Sequence, residues 1–312
     1  MAGLTSSIRF TEWLTTFELG LTKVYKDELK KLPKQYKLWL REERAQRFFD
    51  TDWSVSGLGI MPEKGIGATF NTDQIYQGNK KQFALKTYGL ALVIQHEAWR
   101  WDLYGVFPGL TKLLAKTATD RYNLVAYSLF PNAFSTTDAN FQTYQSEAII
   151  RLAHTRMDGG TWKNRPTVNG GLSYVMLMQA GIDIERTVDE RGRFIMLSPK
   201  LLITSVEQRW IAKEILQSKY RPDNAQENLN QAQDVVGSVH CSPYITSIPP
   251  FFVLCDKEDY KIKMSLGEDP DMDTEKRPGT RDRLWSSYCS FRLEVYNSYG
   301  WWGSSGDGTT ST

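Results

Sequence analysis

The three histidines and their neighbours are the first place to look for metal or hydrolytic chemistry. A zinc protease needs two histidines four residues apart on a helix, with a glutamate beside the first. His96 and Glu97 begin that pattern, but Arg100 stands where the second histidine should be. We interpret His96 as a polar residue at a strand-to-helix junction. His154 and His240 have no acidic or cysteine partner at ligand spacing, so no histidine predicts a metal site.

Motifs for phosphate binding or for a serine nucleophile do not occur in the sequence. There is no GxSxG elbow and no GxxxxGK[ST] loop. Gly57 and Gly65 each begin a GxGxxG pattern, but Pro62 and Phe70 occupy the position of the third glycine. These glycines are better explained as loop and turn residues.

Acidic residues alternate from Asp269 to Glu275 in a way that is similar to the start of a calcium-binding EF-hand loop. Thr274 replaces the turn glycine of that loop, and Thr280 replaces its bidentate glutamate. We therefore interpret the segment as a solvated acidic loop that binds a cation at most opportunistically.

Two groups of neighbouring carboxylates, Asp50 with Asp52 and Glu42 with Glu43, could be proposed as a glycosidase pair. Nothing in the sequence separates their pKa values, and adjacent charges usually mark a wet surface. The sequence thus predicts no catalytic residue, no cofactor and no metal, and we predict that the protein is not an enzyme.

The composition is that of a folded, soluble protein. Of 312 residues, 41% are apolar and 24% are charged, and the net charge of +2 is too balanced for a protein that binds nucleic acid mainly by neutralising phosphates. No apolar run approaches the roughly 20 residues that span a bilayer, and no signal peptide is evident at the N-terminus. The three widely spaced cysteines favour free thiols in a reducing compartment, so we expect an intracellular chain without membrane contact.

The first half of the chain predicts two helices and a hairpin. Apolar spacing predicts helices over Phe17–Leu32 and Leu110–Leu129. The segment up to Arg47 is basic and has too few apolar residues to bury itself, so it must lie along another surface. Strands are predicted at Gly67–Tyr76 and Lys80–Val93, joined by a turn at residues 77–79, and this long hairpin must lean on a neighbour.

The second half alternates helices and strands. A helix at Leu172–Ala180 should end at Gly181, and a strand should follow at Arg193–Leu197. In the next helix, Ser205 and Gln208 form a capping box, and Arg221-Pro222 is the stop. The buried face of this helix is predicted as Val206, Trp210, Ile211 and Ile215.

Four strands are predicted in the last third, and the fold class is therefore α+β. They are Val235–Cys241, Phe251–Leu254, Tyr260–Met264 and Trp285–Tyr296. In the last of them Cys289, Phe291, Leu293 and Val295 alternate with polar residues, which indicates a half-buried strand.

The order of these features resembles tailed-bacteriophage major capsid (head) proteins of the Hong Kong-97-type fold, from about Phe17 to Gly303. GLGIMPEKGIGATFNTDQIYQG (57–78) is similar to their extended loop, Leu110–Phe130 to their spine helix, and RFIMLSPKLLI to the entry of their axial domain. The closing YNSYGWWGSSG is similar to their aromatic-glycine ending. The implied divisions are an N-arm (1–51), an extended loop hairpin (52–94), a peripheral domain with the spine helix (95–145), an axial domain (146–256), return strands of the peripheral domain (257–303) and a disordered tail (304–312).

The resemblance implies a shell protein that assembles into hexamers and pentamers around double-stranded DNA. It implies as partners the chain itself, a separate scaffolding protein, a portal, a cement protein on some shells and weak non-specific contact with DNA through Lys23–Arg47. The expected location is the virion, after assembly in the host cytoplasm. The inter-subunit contacts it implies on the hairpin are Lys64, Phe70, Tyr76, Lys80, Lys81 and Phe83.

Some family members join an extended-loop lysine to an asparagine of a neighbour. Lys64, Lys80 and Lys81 could donate, but residues 267–282 contain no asparagine, so we expect no such cross-link. Two alternatives stay open at this point. One is a cellular nanocompartment shell of the same fold, and the other is a carbohydrate-active enzyme, suggested by the 10 tryptophans and 15 tyrosines.

Overall fold

A computed structural model describes residues 20–95, 97, 106–218, 220, 229–245, 250–280 and 282–311. The helices are α1 (20–31), α2 (Val106–Tyr127), α3 (Leu129–Asn132), α4 (Tyr174–Glu185), α5 (Arg209–Gln217) and α6 (Ala232–Val235), with 3₁₀ turns at Gln35–Leu38 and Ala139–Phe141. The strands are β1 (Arg41–Arg44), β2 (Phe49–Val55), β3 (Gln77–Ala84), β4 (Lys86–Ile94), β5 (His154–Thr155), β6 (Thr161–Trp162), β7 (Leu201–Ser205), β8 (Ser238–Ser242), β9 (Phe251–Leu254), β10 (Ile262–Lys276), β11 (Arg283–Val295) and β12 (Trp301–Ser304). His96 and the Arg221-Pro222 stop lie outside the described residues.

The first sheet joins strands from the two ends of the chain in the order β1-β10-β11-β4. β1 runs parallel to β10, while β10, β11 and β4 are antiparallel neighbours. The long helix α2 packs on this sheet, and Tyr122 stacks on Phe291 with ring centroids 4.2 Å apart. Phe107, nearer the start of α2, meets the edge of Trp285 at 5.7 Å. The predicted long helix is therefore observed, and it begins four residues earlier than expected.

The second sheet has the order β12-β9-β7-β8, and each of its faces is covered. One face packs on α4, α5 and α6 around Leu177, Leu202 and Trp302. The other face meets the first sheet and α2 in a shared core that includes Ile203 and Phe252. Such coverage explains why Phe251–Leu254, buried on both faces, reads as an unbroken apolar run.

The basic N-terminal segment lies on its own subunit. In α1, Leu21 and Tyr25 are buried against α2 and the first sheet. Further on, Trp39 is 1% exposed and lies edge-on to Phe130 (4.9 Å) and Trp301 (5.8 Å). The segment therefore lies along another surface, as its low content of apolar residues predicted.

Strand β11 is buried on both of its sides near its end, whereas its alternating sequence predicts burial on only one side. Its apolar side is buried as expected, but Arg292 is 4% exposed and Glu294 is fully buried on the opposite side. Glu294 accepts hydrogen bonds from Ser265 (2.6 Å) and Tyr296 (3.0 Å), and it pairs with Arg292 and with Lys263. Buried ions persist only when paired and hydrogen-bonded, which this cluster achieves.

Helices α4 and α5 differ from their predicted ends. α4 continues through Gly181 to Glu185, because that glycine faces Val235 of α6 closely rather than ending the helix. α5 begins at Arg209, after a β7 that ends at Ser205, so the predicted capping box is wrong. Gln208 instead accepts a hydrogen bond at Oε1 from the Thr204 hydroxyl.

The predicted buried face of α5 is also wrong for its aromatic residue. Trp210 is 73% exposed and Ile211 is 47% exposed, whereas the buried side consists of Ala212, Ile215 and Leu216. The helix starts later than predicted. The side that it packs against the second sheet is therefore not the side that carries most of its large apolar residues.

Three further assignments are corrected as well: a loop, a strand and the tail. The acidic run Glu268–Glu275 is part of strand β10, which bends through two register irregularities and pairs with β11. Residues 193–197 form no strand beyond a single bridge between Val188 and Phe194. The prediction of a disordered tail is wrong for residues 304–311, since Gly308 and Ser311 donate backbone hydrogen bonds to residues 167–169 and Ser311 is 6% exposed.

Removing one partner of the buried pair should be costly. We expect Arg292→Leu to lower the free energy of unfolding by about 3 kcal/mol, because Glu294 would lose its closest counter-charge inside the protein. Chemical denaturation measures the change. Arg44→Leu is the matched control, because its pair with Asp269 is exposed and should be worth less than about 1 kcal/mol. The double change Arg292→Leu with Glu294→Leu should recover much of the loss, and equal costs for both arginines would contradict this account.

Candidate assembly surface

The hairpin β2–β3 and the loop between its strands, residues 56–76, form the most exposed part of the described chain. The strands pair antiparallel from Phe49 opposite Ala84 to Val55 opposite Gln77. The loop has no strand of its own and only a turn at residues 66–67. The sequence predicted a hairpin in this part of the chain, but its strands and turn are wrong. Gly67–Tyr76 is not a strand, and residues 77–79 lie within β3. The predicted strand Lys80–Val93 is divided between β3, which pairs with β2, and β4, which pairs with β11.

This loop carries large apolar side chains into solvent. Ile66 is fully exposed, and Met61, Phe70 and Ile60 are 80–91% exposed. A further group on the same segment is at least half exposed: Leu58, Ile75 and Tyr76. A segment with this many exposed large apolar side chains is a candidate for a surface on which another molecule packs. We refer to residues 56–76 as the tip loop.

The base of the hairpin is fixed to the rest of the subunit. Arg292 donates to the backbone oxygens of Arg47 (3.1 Å) and Phe48 (2.9 Å), just before β2. Tyr144 donates from its hydroxyl to Asp52 at 2.6 Å. Phe83 packs edge-on against Tyr296 at 5.3 Å. These contacts hold the two strands at a set angle, although the strands themselves form only a two-stranded ribbon.

Asp73 fixes the two sides of the tip loop to each other. Its carboxylate accepts hydrogen bonds from the backbone N–H of Gly59 (2.7 Å) and of Gln74 (2.8 Å). Arg191, in the turn after α4, contacts the same carboxylate at 3.3 Å and lies 5.2 Å from the ring of Tyr76. The N–H of Gly59, then that of Gln74 and the guanidinium of Arg191, lower the pKa of Asp73 below its ordinary value.

The six residues predicted as inter-subunit contacts divide into three groups. Lys64, Phe70, Tyr76 and Lys80 are exposed on the hairpin. Lys81 is half-buried, where its ammonium donates to the backbone oxygen of Gln142. Phe83 is 4% exposed within its own subunit, so its assignment as a contact residue is wrong: the alternation of β3 turns it into the core.

The lysines of the hairpin are already engaged with aromatic rings. Lys64 lies 4.1 Å from the ring centre of Phe70, and Lys80 lies 5.5 Å from that of Trp53. Such contacts between a cation and an aromatic face stabilise by about 0.5–1 kcal/mol at exposed sites. The pairs present a surface that is both apolar and positively charged.

Sequence reasoning missed several residues of this surface. Ile60, Met61 and Ile66 were not singled out. Neither were the contacts of Asp73 with Gly59, Gln74 and Arg191, which we call the clip. The signal for the apolar residues was available: GLGIMPEKGIGATF has apolar residues without a period of 2 or 3.6, which indicates apolar side chains with no interior to face. The clip joins residues 118 apart in the chain and left no sequence signal.

Other candidate sites do not assemble within the described residues. No three His, Cys, Asp or Glu side chains there come together as a metal centre. His154 does have an acidic neighbour that the sequence did not reveal: its Nδ1 lies 3.2 Å from Glu147, and its ring stacks on Trp162 at 4.4 Å. This group is buried and lines a cavity of only about 10 Å³, so it is part of the packing. None of the described helices is both long and apolar enough to cross a membrane.

The aromatic abundance has a structural explanation. Among the described residues, the twelve largest fully buried side chains are all aromatic: four are tryptophan, six are tyrosine and two are phenylalanine. Eight of these twelve, including Trp39 and Trp301, belong to the core between the two sheets, and the other four lie in two neighbouring clusters. The observation that suggested a carbohydrate-binding enzyme is thus accounted for by packing.

The two sheets, the long helix and the projecting hairpin together define the Hong Kong-97-type capsid fold, and the predicted α+β class is confirmed. No family model matches the sequence, and no curated protein matches it. Solved structures do match over nearly the whole chain. The virus-like particle from Pyrococcus furiosus has a TM-score of 0.53 at 10% identity, over 91% of this chain and 97% of that chain.

Two further matches come from different kinds of source. A structure from Mycobacterium phage Adephagia has a TM-score of 0.54 at 11% identity, over 86% of this chain and 89% of that chain. The SrpI encapsulin of a holo complex from Synechococcus elongatus PCC 7942 has a TM-score of 0.52 at 9% identity, over 90% of both chains. At such identities the likeness establishes the fold alone.

Breaking the clip should loosen the tip loop without unfolding the subunit. We expect Asp73→Ala to speed proteolytic cleavage between residues 57 and 76 several-fold at neutral pH, because the loop loses the acceptor shared by Gly59 and Gln74. Because the folded pKa of Asp73 is lowered, its contribution is present above the ordinary pKa near 3.8 and is lost as the pH falls through the lowered value. Asp273→Ala, which removes only a contact to the next residue's N–H, is the control. Equal cleavage of both variants would contradict the clip.

The half-buried ammonium of Lys81 predicts a pH dependence of the same sign, in the alkaline range. Burial lowers the pKa of Lys81 to about 8 from 10.5, so the unfolded chain binds more protons between those values and stability rises with pH there. We expect the free energy of unfolding of the wild type to increase relative to that of Lys81→Met as the pH is raised from 7 to 10. Urea denaturation at both pH values measures the difference, and a constant difference would exclude a depressed pKa.

Proposed function

We propose that this protein is a major capsid protein, whose copies assemble through the tip loop into the shell of a tailed bacteriophage. The observation that carries the proposal is the combination of a capsid fold over about nine-tenths of the chain with an anchored hairpin whose apolar tip faces solvent. When a neighbouring copy covers Ile66, Met61 and Phe70, the free energy falls by about 25 cal/mol for each Å² of apolar area that is buried. Repetition of this contact around symmetry axes closes a shell.

In this proposal the copies form hexamers and pentamers of an icosahedral head that encloses double-stranded DNA. A scaffolding protein and a portal act during assembly, a cement protein is a further candidate partner, and the location is the virion after assembly in the host cytoplasm. The division into N-arm (1–51), hairpin (52–94), peripheral (95–145 and 257–303) and axial (146–256) parts belongs to the same proposal. Of the predicted contacts, Lys64, Phe70, Tyr76, Lys80 and the half-buried Lys81 are kept.

The ion pairs of the N-terminal segment support a weak contact with DNA rather than a strong one. Lys34 and Lys37 both pair with Glu42, and Arg44 pairs with Asp269. Cations that already have carboxylate partners within the subunit release few counterions when a polyanion approaches. A wall of such subunits can enclose DNA without holding it tightly.

A nanocompartment shell is the second candidate, favoured by the match to an encapsulin over 90% of both chains. Both candidates require assembly through the same fold, and they differ in contents. Particles purified from the native source should contain double-stranded DNA in the first case and a cargo protein in the second. Nuclease-protected DNA of genome length measured in those particles would reject the nanocompartment.

Replacing the tip should separate folding from assembly. We expect a chain in which a Gly-Ser linker of equal length replaces residues 58–72 to keep the unfolding midpoint of the wild type, because the base of the hairpin and the core residue Phe83 are retained. It should fail to form particles, as measured by sedimentation velocity and negative-stain microscopy.

Two single changes refine the same test. Ile66→Asp should reduce assembly at least tenfold because a charge would be buried in the contact, whereas Ile66→Leu should assemble as the wild type does. Normal particles from the linker variant or from Ile66→Asp would contradict the role given to the tip loop. An enzyme without a shell function would elute as a small oligomer in every case.

A further inference from the structure

A groove lies beside β8, the outermost strand of the second sheet. The chain from Val236 to Cys241 forms its floor, and Arg209, Lys213 and Gln217 of α5 stand along its wall. Its volume is about 750 Å³. This site lies on the second sheet, whereas the tip loop projects from the β2–β3 hairpin, so the two surfaces are separate.

The floor of the groove is an open strand edge. β8 pairs in parallel with β7 on one side, and within the described ranges no strand pairs with its other side. Residues 237–238 are exposed and residues 239–241 are partly exposed. Alternate N–H and C=O groups along such an edge are a template for a further strand, and five residues offer about 16 Å of it.

The wall of the groove is positively charged. Arg209 and Lys213 are exposed, neither forms an ion pair with any described residue, and none of the described residues that line the groove is a carboxylate. Glu214 and Asp234 lie on neighbouring helical positions but are not among its lining residues. Lys213 is positioned by the ring of Trp210, 5.3 Å from its ammonium. An extended ligand lying on β8 would bring its side chains toward these two cations.

We propose that this groove binds an extended acidic segment of a partner protein, which adds a strand to β8 and sets its carboxylates against Arg209 and Lys213. Backbone hydrogen bonds supply affinity in this mode of recognition, and the side chains that alternate above the edge supply selectivity. The inference does not depend on shell assembly, because every group that it uses belongs to one subunit.

Cys241 provides a reporter within the groove. It is partly exposed and lines the floor, whereas Cys255 and Cys289 are buried. A ligand seated on β8 should therefore shield this thiol and no other. The rate at which a thiol reagent modifies Cys241 therefore measures how much of the groove is occupied by ligand. Cys241→Ser gives the background rate from the other cysteines.

The test uses the full chain as unassembled subunits and a fluorescein-labelled nonapeptide of alternating valine and glutamate. We expect saturable binding by fluorescence anisotropy, weakened about tenfold between 0.05 and 0.5 M NaCl, and slowing of Cys241 modification at saturation. Arg209→Glu with Lys213→Glu should weaken binding at least tenfold. The control Lys112→Glu with Lys116→Glu makes the same change of charge on the exposed side of α2 and should leave binding within twofold.

Backbone pairing is tested on the peptide, so that the fold of the protein is not disturbed. Valine nitrogens point to one edge of an extended peptide and glutamate nitrogens to the other. Methylation of one set should weaken binding at least tenfold, and methylation of the other set should leave it within twofold. Equal binding of both methylated peptides, equal loss in both double variants, or no binding at 1 mM peptide would overturn the proposal. So would displacement of the peptide as the subunit concentration rises, which would assign the edge to a second copy of the chain.

Discussion

The packing of Trp39, Phe130 and Trp301 against one another is the constraint on which the rest of the subunit depends. Each ring comes from a different part: the N-terminal segment, the short helix α3 that follows the long helix, and β12 of the second sheet. Because aromatic rings in edge-on and offset contact tolerate little displacement, this junction sets how the two sheets face each other. The hydroxyl of Tyr260 closes it by donating to the backbone oxygen of Trp39.

The pair Arg292–Glu294 extends that constraint outward to the hairpin. The guanidinium reaches two backbone oxygens ahead of β2, while the carboxylate collects the hydroxyls of Ser265 and Tyr296 and the ammonium of Lys263. Burial alone would lower the pKa of Lys263, but Glu43, Glu294 and Asp50 around it outweigh burial and raise it. A projecting ribbon with little core of its own is thereby held in one direction by groups that lie inside the subunit.

Much of this architecture was predictable, and the failures have physical causes. The strand Phe251–Leu254 was predicted with the same first and last residues that the structure has, because a short apolar run of this kind is typical of a strand buried on both faces. The acidic segment was assigned to a loop because Asp and Glu are poor strand formers, yet antiparallel pairing with β11 makes it a strand. Trp210 was assigned to the core because it is apolar, and Phe83 to a contact because it lies on the hairpin. In both cases the facing element, which one sequence does not show, decided the outcome.

The route of the chain through the first sheet has a consequence for synthesis. Glu43 and Lys263, neighbours across β1 and β10, are 220 residues apart in sequence, and Arg292 reaches Arg47 across 245 residues. Pairings of such separation form late, since the loop they close must be ordered first. On the ribosome, the β2–β3 ribbon therefore emerges long before the strand that fixes its base. A truncated or stalled chain would lack the contacts by which Arg292 fixes the base of the hairpin. In the proposed shell, only a nearly complete chain could therefore present its tip loop to a neighbouring copy in a set direction.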